Sequence, residues 1–174
     1  IHYLRESDIE YTDQVLELIP SPHFTAKDLS LRDYQQKALN RWTRVGMRGC
    51  IVLPTGAGKT ILGIKSIETI NSAVLIVVPT LDLMHQWTEV LSSHITNASI
   101  GNLGGGSEEV EPITVATYDS AYIRAPSLGN RFSFVIFDEV HHLAAPGYRS
   151  IAEQLAAPYR LGLTATIERE DKLH

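Results

Sequence analysis

Two pairs of neighbouring residues, Lys59-Thr60 and Asp138-Glu139, carry the side chains that phosphate chemistry requires. Lys59 ends a glycine-rich stretch, where a lysine reaches the β- and γ-phosphates of a nucleotide and the next threonine hydroxyl binds Mg²⁺. Asp138 and Glu139 follow an apolar run, the Walker B arrangement. The first carboxylate then holds Mg²⁺ through its water shell, and the second orients and deprotonates the attacking water. Together they predict hydrolysis of a nucleoside triphosphate.

A strand and a helix are predicted on either side of the glycine-rich stretch. The apolar residues 49–52 predict a buried strand, with Cys50 in the core, and the apolar spacing of residues 61–70 predicts a helix. Glycines let the connecting backbone turn with its N–H groups inward, which together with the helix N-terminus makes an anion site. The residues expected to bind the nucleotide here are Thr55, Gly56, Ala57, Gly58, Lys59 and Thr60.

Further strands are predicted at residues 73–78, 113–116, 132–137 and 159–163. The helix predicted after the first of them, residues 81–91, has Leu83, Trp87 and Leu91 at helical spacing. Hydroxyl residues Thr80, Thr117 and Thr164 lie where strands end, the edge at which open α/β sheets bind ligands. For Thr80 a helix N-cap is an equally good explanation. Residues 101–107 predict a flexible loop, or equally a hairpin.

A helix is also predicted at residues 29–39, about 20 residues before the glycine-rich stretch. Arg32 and Gln35 can share one face of it, and a glutamine amide matches the donor and acceptor of an adenine edge. An ordinary polar surface is the alternative. An amphipathic helix is predicted at residues 8–19, within a linker from a preceding domain that spans residues 1–28.

Composition excludes several classes of protein. The 174 residues have a formal net charge of −5, so a general basic surface for nucleic acid is absent. The single cysteine excludes an internal disulfide framework and fits a reducing compartment, the cytoplasm or, in a eukaryote, the nucleus. No stretch is apolar enough to span a membrane. The chain begins with Ile1 rather than Met, which predicts a piece of a longer protein.

The pair His141-His142 follows the two carboxylates. Zinc is disfavoured, because no spaced cysteine or distant histidine cluster completes a ligand set. A role for His141 in bridging the nucleotide site to a neighbouring strand is the preferred interpretation.

Several segments together resemble the first RecA-like domain of superfamily 2 helicases, and most nearly the XPB (Rad25-type) DNA helicases of archaea. They are LRDYQQKAL, GCIVLPTGAGKT, LIVVPTLDLMHQW, TYDSAY, NRF, IFDEVHHL and RLGLTAT. Leu53, where the strict phosphate-loop pattern has a glycine, fits the helicase variant of that loop. The resemblance covers residues 29–174 and implies an α/β fold, the RecA-like P-loop NTPase, with a parallel β-sheet and helices on both faces. It also implies ATP and Mg²⁺ as cofactors.

The resemblance implies a role for each matching position. It makes Lys59, Asp138, Glu139 and His141 catalytic, Arg32 and Gln35 adenine-sensing, and Thr60 and Asp138 the metal site. It assigns DNA contacts to Pro79, Thr80, Gln86, Gly105 and Thr117. It assigns coupling of hydrolysis to strand movement or unwinding to Thr164 and Thr166, and to the motif Arg169, Glu170 and Asp171.

The function so implied is an ATP-dependent DNA helicase or translocase module in nucleotide excision repair or promoter opening. Its partners would be DNA, a second RecA-like domain, and a nuclease or a transcription or repair factor, with no membrane. No second RecA-like domain follows in this chain, so the arginine fingers are missing and the piece alone should hydrolyse ATP very slowly. The alternatives are another superfamily 2 motor, such as an RNA helicase or restriction-type translocase, and a nucleotide-dependent binding scaffold. A P-loop kinase lacks support, because no lid or acceptor-binding motif is visible.

Overall fold

The computed structural model describes residues 15–165. The helices are α1 (Asp33–Arg44), α2 (Lys59–Ile70), α3 (Leu81–His94), α4 (Tyr118–Leu128) and α5 (Pro146–Gln154), with a 3₁₀ helix at Val140–Ala144. The strands are β1 (Arg48–Leu53), β2 (Val74–Val78), β3 (Ile100–Gly104), β4 (Ser107–Glu108), β5 (Ile113–Thr117), β6 (Phe134–Asp138) and β7 (Tyr159–Ala165). Within residues 15–165, no helix has the length and apolar character needed to cross a membrane.

The seven strands form one sheet in the order β1-β7-β6-β2-β5-β3-β4. Every neighbouring pair is parallel except β3 and β4, which are antiparallel. Strands β2, β5 and β6 are buried along their whole length, as expected for inner parallel strands covered on both faces. The predicted α/β fold is confirmed.

Helices cover both faces of the sheet. The apolar faces of α1, α2 and α3 pack on one face, where they meet alternate strand residues such as Ile76 and Ile136. Helices α4 and α5 pack on the other face against the intervening residues, such as Val77 and Phe137. Because successive strand side chains point to opposite faces, one short apolar run supplies both cores.

Strand β1 is at the edge of the sheet, so the prediction that it is a buried strand with Cys50 in the core is wrong. Among the described residues, 15–165, only its neighbour β7 pairs with it, Cys50 is exposed and Val52 is 56% exposed. The apolar composition of a strand indicates that one of its faces is covered. It does not reveal the position of the strand in the sheet.

The structure decides two other local predictions and adds a helix. The residues predicted as a flexible loop form the β3–β4 hairpin, as the alternative proposed, and its turn contains Gly104, Gly105 and Gly106 with positive φ. Helix α4 was not predicted. Of the helix predicted at residues 8–19, residues 8–14 lie outside the described part, and residues 15–19 are not helical: the N–H groups of Glu17 and Ile19 donate to the backbone of residues 130 and 131.

Candidate nucleotide and nucleic-acid site

The phosphate loop, residues 54–58, joins the end of β1 to the start of α2. Gly56 and Gly58 have φ of 78° and 77°, values that a residue with a Cβ rarely adopts. Gly58 is also the N-cap of α2, and within the described part of the chain no side chain caps that helix. The first N–H groups of a helix have no intrahelical acceptor, so this helix end presents donors and a positive dipole to an anion.

Helix α1 supports the phosphate loop through two side chains. Gln35 is 4% exposed, and its amide nitrogen donates to the carbonyls of Ala57 (2.8 Å) and Gly58 (3.4 Å). Its amide oxygen accepts from the N–H of Arg32 at 2.8 Å. The hydroxyl of Tyr34, a residue that the sequence analysis missed although it adjoins Gln35, donates to the Ala57 carbonyl at 2.8 Å. These contacts fix the loop, while the adenine contacts of Arg32 and Gln35 stay a prediction.

A shallow pocket of about 180 Å³ lies beside this contact between helix and loop. Its lining residues are Ser30, Arg32, Tyr34, Gln35, Gly56, Ala57, Gly58 and Ile61. Arg32 is exposed and Tyr34 is 40% exposed, so a planar guanidinium and an aromatic ring border it. Both groups can stack on a base.

The carboxylate pair, Asp138 and Glu139, lies at the end of β6 and faces the phosphate loop. The ammonium of Lys59 is 2.6 Å from Glu139 Oε1 and 3.9 Å from Asp138 Oδ1. Three of the residues predicted to be catalytic are therefore brought together across the end of the sheet. In this arrangement the lysine that would bind phosphate is held by the glutamate that would activate water.

The backbone at Glu139 is strained. Glu139 has φ 49° and ψ 56°, the left-handed region, which costs a residue with a side chain about 1–2 kcal/mol. Its N–H donates to Asp138 Oδ1 at 2.9 Å, and the buried hydroxyl of Tyr118 donates to the Asp138 carbonyl at 2.8 Å. These two hydrogen bonds hold the turn that aims Glu139 at Lys59.

Tyr118 is a second residue that the sequence analysis did not assign to the site. Its burial, together with the charges of Asp138 and Glu139, raises the pKa of Tyr118 far above its ordinary value. The hydroxyl therefore stays protonated and remains a donor. The sequence position of Tyr118, directly after Thr117 at the end of β5, could have predicted its place in the site. Residues that follow parallel strands meet at one edge of the sheet.

His141 lies in the 3₁₀ helix beside Glu139, with Nδ1 3.7 Å from Glu139 Oε2. Its side chain is 58% exposed, and its ring centre is 4.6 Å from that of His142. The ring centre of His142 in turn lies 5.4 Å from the ring centre of Tyr118. The position of His141 at the rim of the carboxylate pair is compatible with the predicted bridging role, which stays a prediction.

A third missed residue is Trp87, predicted only as part of the core face of α3. Its indole Nε1–H donates to Asp138 Oδ2 at 2.9 Å, and both residues are buried. Nothing in the local spacing separates this tryptophan from an ordinary core residue. Only the packing of α3 on the sheet shows the contact.

Three of the predicted DNA contacts, Thr80, Gly105 and Thr117, lie at the same edge of the sheet, where β2, β3 and β5 end. Thr80 caps α3 by accepting from the N–H of Leu83 (3.2 Å), and Thr117 caps α4 by accepting from the N–H of Ser120 (3.2 Å). A Cβ on Gly105 would be 3.0 Å from Leu81 Cδ2, so the β3–β4 turn lies against the start of α3. The N-cap explanation of Thr80 is confirmed, and a phosphate contact at the same helix end stays a prediction.

Gln86 is exposed on α3, while Pro79 is half-buried where β2 ends. Thr164 lies in β7, between the strands that carry the carboxylate pair and the phosphate loop. It pairs with Val52 of β1, and the preceding residue, Leu163, pairs with Asp138. Thr166, Arg169, Glu170 and Asp171 lie outside the described residues.

The chemistry of the site fits a nucleotide with Mg²⁺. The uncapped start of α2 and the glycine backbone suit phosphate, and a Cβ added to Gly56 would meet no atom of residues 15–165 within 4 Å. Thr60, in the first turn of α2, and Asp138 offer the hard oxygen ligands that Mg²⁺ prefers. Lys59 would exchange its contact with Glu139 for a contact with phosphate.

Comparison with known proteins identifies the family of the chain. The profile of the family described as type III restriction enzyme, res subunit, matches residues 28–169. The DNA 3'-5' translocase XPB2 of Sulfurisphaera tokodaii is 49% identical over 99% of this chain and 38% of its own length. The DNA 3'-5' helicase XPB of Mycobacterium tuberculosis is 36% identical over 81% of this chain and 27% of its own length.

A eukaryotic relative is the general transcription and DNA repair factor IIH helicase/translocase subunit XPB of Schizosaccharomyces pombe. It is 31% identical over 81% of this chain and 20% of its own length. The chain thus spans less than half the length of each of these three relatives.

Two solved structures have the same fold. The SWI2/SNF2 ATPase core of Sulfolobus solfataricus in complex with double-stranded DNA has a TM-score of 0.65 at 21% identity, over 83% of this chain and 33% of that chain. The UvsW helicase of bacteriophage T4 has a TM-score of 0.65 at 23% identity, over 97% and 59%. The chain belongs to the family of the type III restriction enzyme res subunit, and its resemblance to XPB-type superfamily 2 helicases is confirmed.

Proposed function

We propose that residues 29–174 form the first RecA-like domain of an ATP-dependent DNA translocase or helicase. The observation that carries the proposal is the convergence of Lys59, Asp138 and Glu139 at one end of the sheet, beside the uncapped start of α2. A binding site for phosphate alone needs the lysine and the helix end. A site for hydrolysis also needs a metal ligand and a base, and both are within 4 Å of that lysine.

Each side chain has a defined part in hydrolysis. The N–H groups at the start of α2 and the ammonium of Lys59 bind the phosphates. When Lys59 turns to phosphate, Glu139 loses its ion pair and its carboxylate becomes free to accept a proton from water. Asp138 and Thr60 would hold Mg²⁺, which neutralises charge on the phosphate oxygens.

DNA would bind along the edge formed by Pro79, Thr80, Gln86, Gly105 and Thr117. Hydroxyl groups, backbone N–H groups and helix N-termini bind phosphates without needing lysine or arginine. Thr80, Gln86, Gly105 and Thr117 offer such donors, whereas Pro79 has none, and these donors would allow DNA binding by a chain with a net charge of −5. Thr164 and Thr166 would couple this surface to the nucleotide site, and the motif Arg169, Glu170 and Asp171 would act in strand separation.

Other parts of the proposed motor protein would lie outside these residues. A second RecA-like domain would close the nucleotide site and contribute arginines that stabilise the transferring phosphoryl group. Relatives whose names include DNA 3'-5' translocase and a transcription and DNA repair factor subunit support 3'-to-5' movement and a repair or promoter-opening role. That role places the protein in the cytoplasm or, in a eukaryote, the nucleus, with a nuclease or transcription factor as partner.

The test is nucleic-acid-stimulated ATP hydrolysis by the full-length protein. Duplex DNA should stimulate turnover, and Lys59→Ala should abolish it and weaken ATP binding about tenfold or more, because a charge-assisted contact to phosphate is lost. Lys65→Ala is the matched control, since Lys65 lies on the same helix and pairs with Glu68 away from the loop. Equal ATP affinity for Lys59→Ala and wild type would refute the phosphate-loop assignment.

Two alternatives are separated by the same assay. Stimulation by RNA rather than DNA would indicate an RNA helicase, since the catalytic residues are shared. Tight nucleotide binding without turnover under any condition would indicate a nucleotide-dependent scaffold. The strained, pre-aimed Glu139 favours hydrolysis, because a scaffold gains nothing from that strain.

A further inference from the structure

We propose that Trp87 is a positioning residue that fixes the Asp138 carboxylate for Mg²⁺ and links it to the helix predicted to contact DNA. The inference rests on the proposed function and concerns the same site. It starts from one contact, the hydrogen bond from the Trp87 indole Nε1–H to Asp138 Oδ2 at 2.9 Å.

This hydrogen bond completes the support of the carboxylate. Asp138 Oδ1 accepts from the N–H of Glu139 at 2.9 Å, so each carboxylate oxygen has its own donor from the protein. Two donors fixed in a buried setting prevent rotation of the carboxylate, and each oxygen keeps a lone pair for a water of Mg²⁺. A group that orients a ligand in this way sets metal affinity without touching the metal.

The position of the indole is set by close packing. Trp87 is 1% exposed, and a Cβ built on Gly63 would be only 2.6 Å from its Cη2 atom. Gly63 lies one turn into α2, after Lys59 and Thr60 of the phosphate site. The ring therefore fills a space that exists because residue 63 has no side chain, and it contacts the helix that begins at the phosphate loop.

The same indole belongs to α3, which gives it a second connection. Helix α3 begins after Thr80, its N-cap, and Gln86, next to Trp87 in sequence, is exposed. Both residues are predicted DNA contacts. A shift of α3 on binding DNA would move the indole donor relative to Asp138, so occupancy of the two sites is coupled through one side chain.

An ordinary core tryptophan elsewhere in the chain shows what a purely structural role looks like. Trp42 is 3% exposed, and its indole N–H donates at 3.0 Å to the backbone carbonyl of Arg160. Its side chain is nearly as buried as that of Trp87, but its hydrogen bond is only partly buried and ends on a peptide group rather than on the carboxylate predicted to hold metal. Trp42→Phe is therefore the matched control for Trp87→Phe.

The experiment measures binding of a fluorescent ADP analogue to the full-length protein, with Mg²⁺ and with EDTA. Trp87→Phe keeps an aromatic ring and removes the donor. Mg²⁺ strengthens ADP binding, and the Mg²⁺ concentration that gives half of this effect should be about tenfold higher in Trp87→Phe. The ADP affinity in EDTA should stay within twofold of wild type. Trp42→Phe should leave both values at wild type. Gly63→Ala, which displaces the indole while keeping it, should reproduce the effect of Trp87→Phe.

The outcomes separate this inference from the proposed function. If wild-type ADP binding does not respond to Mg²⁺, the proposed function fails. If wild type responds and Trp87→Phe responds identically, the positioning role is overturned. An equal loss of ADP affinity in Mg²⁺ and in EDTA also overturns it, because that pattern reports general damage.

The link to DNA has its own readout in the same proteins. For each protein, the ADP affinity in Mg²⁺ is measured with and without duplex DNA. In wild type the ratio of these two affinities should differ from one. In Trp87→Phe the ratio should be at least twofold closer to one. Trp42→Phe should keep the wild-type ratio. An unchanged ratio in Trp87→Phe would overturn the coupling.

Discussion

The Glu139 carboxylate forms an ion pair with Lys59 and is positioned to activate water. Glu139→Gln should therefore have opposite effects on nucleotide affinity and on turnover. The substitution keeps the size of the side chain and removes its charge. Turnover should be lost, because an amide cannot accept the proton. Nucleotide affinity should rise, because Lys59 no longer has to leave an ion pair before it binds phosphate.

The size of the gain follows from the geometry of the pair. The Lys59 to Glu139 distance is 2.6 Å, and the two side chains are 17% and 27% exposed. Largely exposed ion pairs contribute about 0.2–1 kcal/mol, and this pair, which is mostly shielded, belongs at the upper end. Breaking it therefore costs about 1 kcal/mol, which corresponds to about fivefold tighter nucleotide binding in the variant.

The assay is equilibrium binding of ADP in EDTA, which removes any contribution of the metal. Glu68→Gln is the matched control, because Glu68 accepts a hydrogen bond of 2.5 Å from Lys65 on the far part of α2. It should leave ADP affinity unchanged. Weaker binding by Glu139→Gln would refute the competition between Glu139 and phosphate, and wild-type turnover in that variant would refute its role with water.

Three further variants test the supports of the site and the fold. Gly162→Ala places a methyl group 2.7 Å from Cys50 Sγ and 2.9 Å from Val140 Cγ2, which follows the carboxylate pair, and should cost about 1–3 kcal/mol in thermal unfolding and slow ATP turnover. Tyr118→Phe removes the donor to the first carbonyl of the carboxylate pair and should cost about 1–3 kcal/mol in the same measurement, whereas an unchanged melting temperature would contradict the contact. The hydrogen bond from Lys65 lowers the pKa of Glu68, so this carboxylate stabilises the fold at neutral pH and stops doing so as the pH falls through that lowered pKa. Glu68→Gln should therefore flatten the loss of stability below about pH 4.5 in acid-unfolding curves.

The chemistry predicted for the site follows from local sequence. The glycines of the phosphate loop, Lys59 and the carboxylate pair are adjacent to the strands and helices that position them, so residue type and spacing were enough to predict them. The inner strands could also be predicted from the sequence. A continuous apolar, β-branched run such as residues 74–78 is typical of a strand that is covered on both faces.

Tertiary structure alone decided which distant side chains meet. Strand order placed β1 at the edge, which exposes Cys50, and placed β7 between the phosphate loop and the carboxylate pair. The packing of α3 places Trp87 next to the Asp138 carboxylate. The end of β5 places the Tyr118 hydroxyl next to the Asp138 carbonyl. Local periodicity reports which face of an element is buried, whereas the identity of its contact depends on the positions of elements far away in sequence.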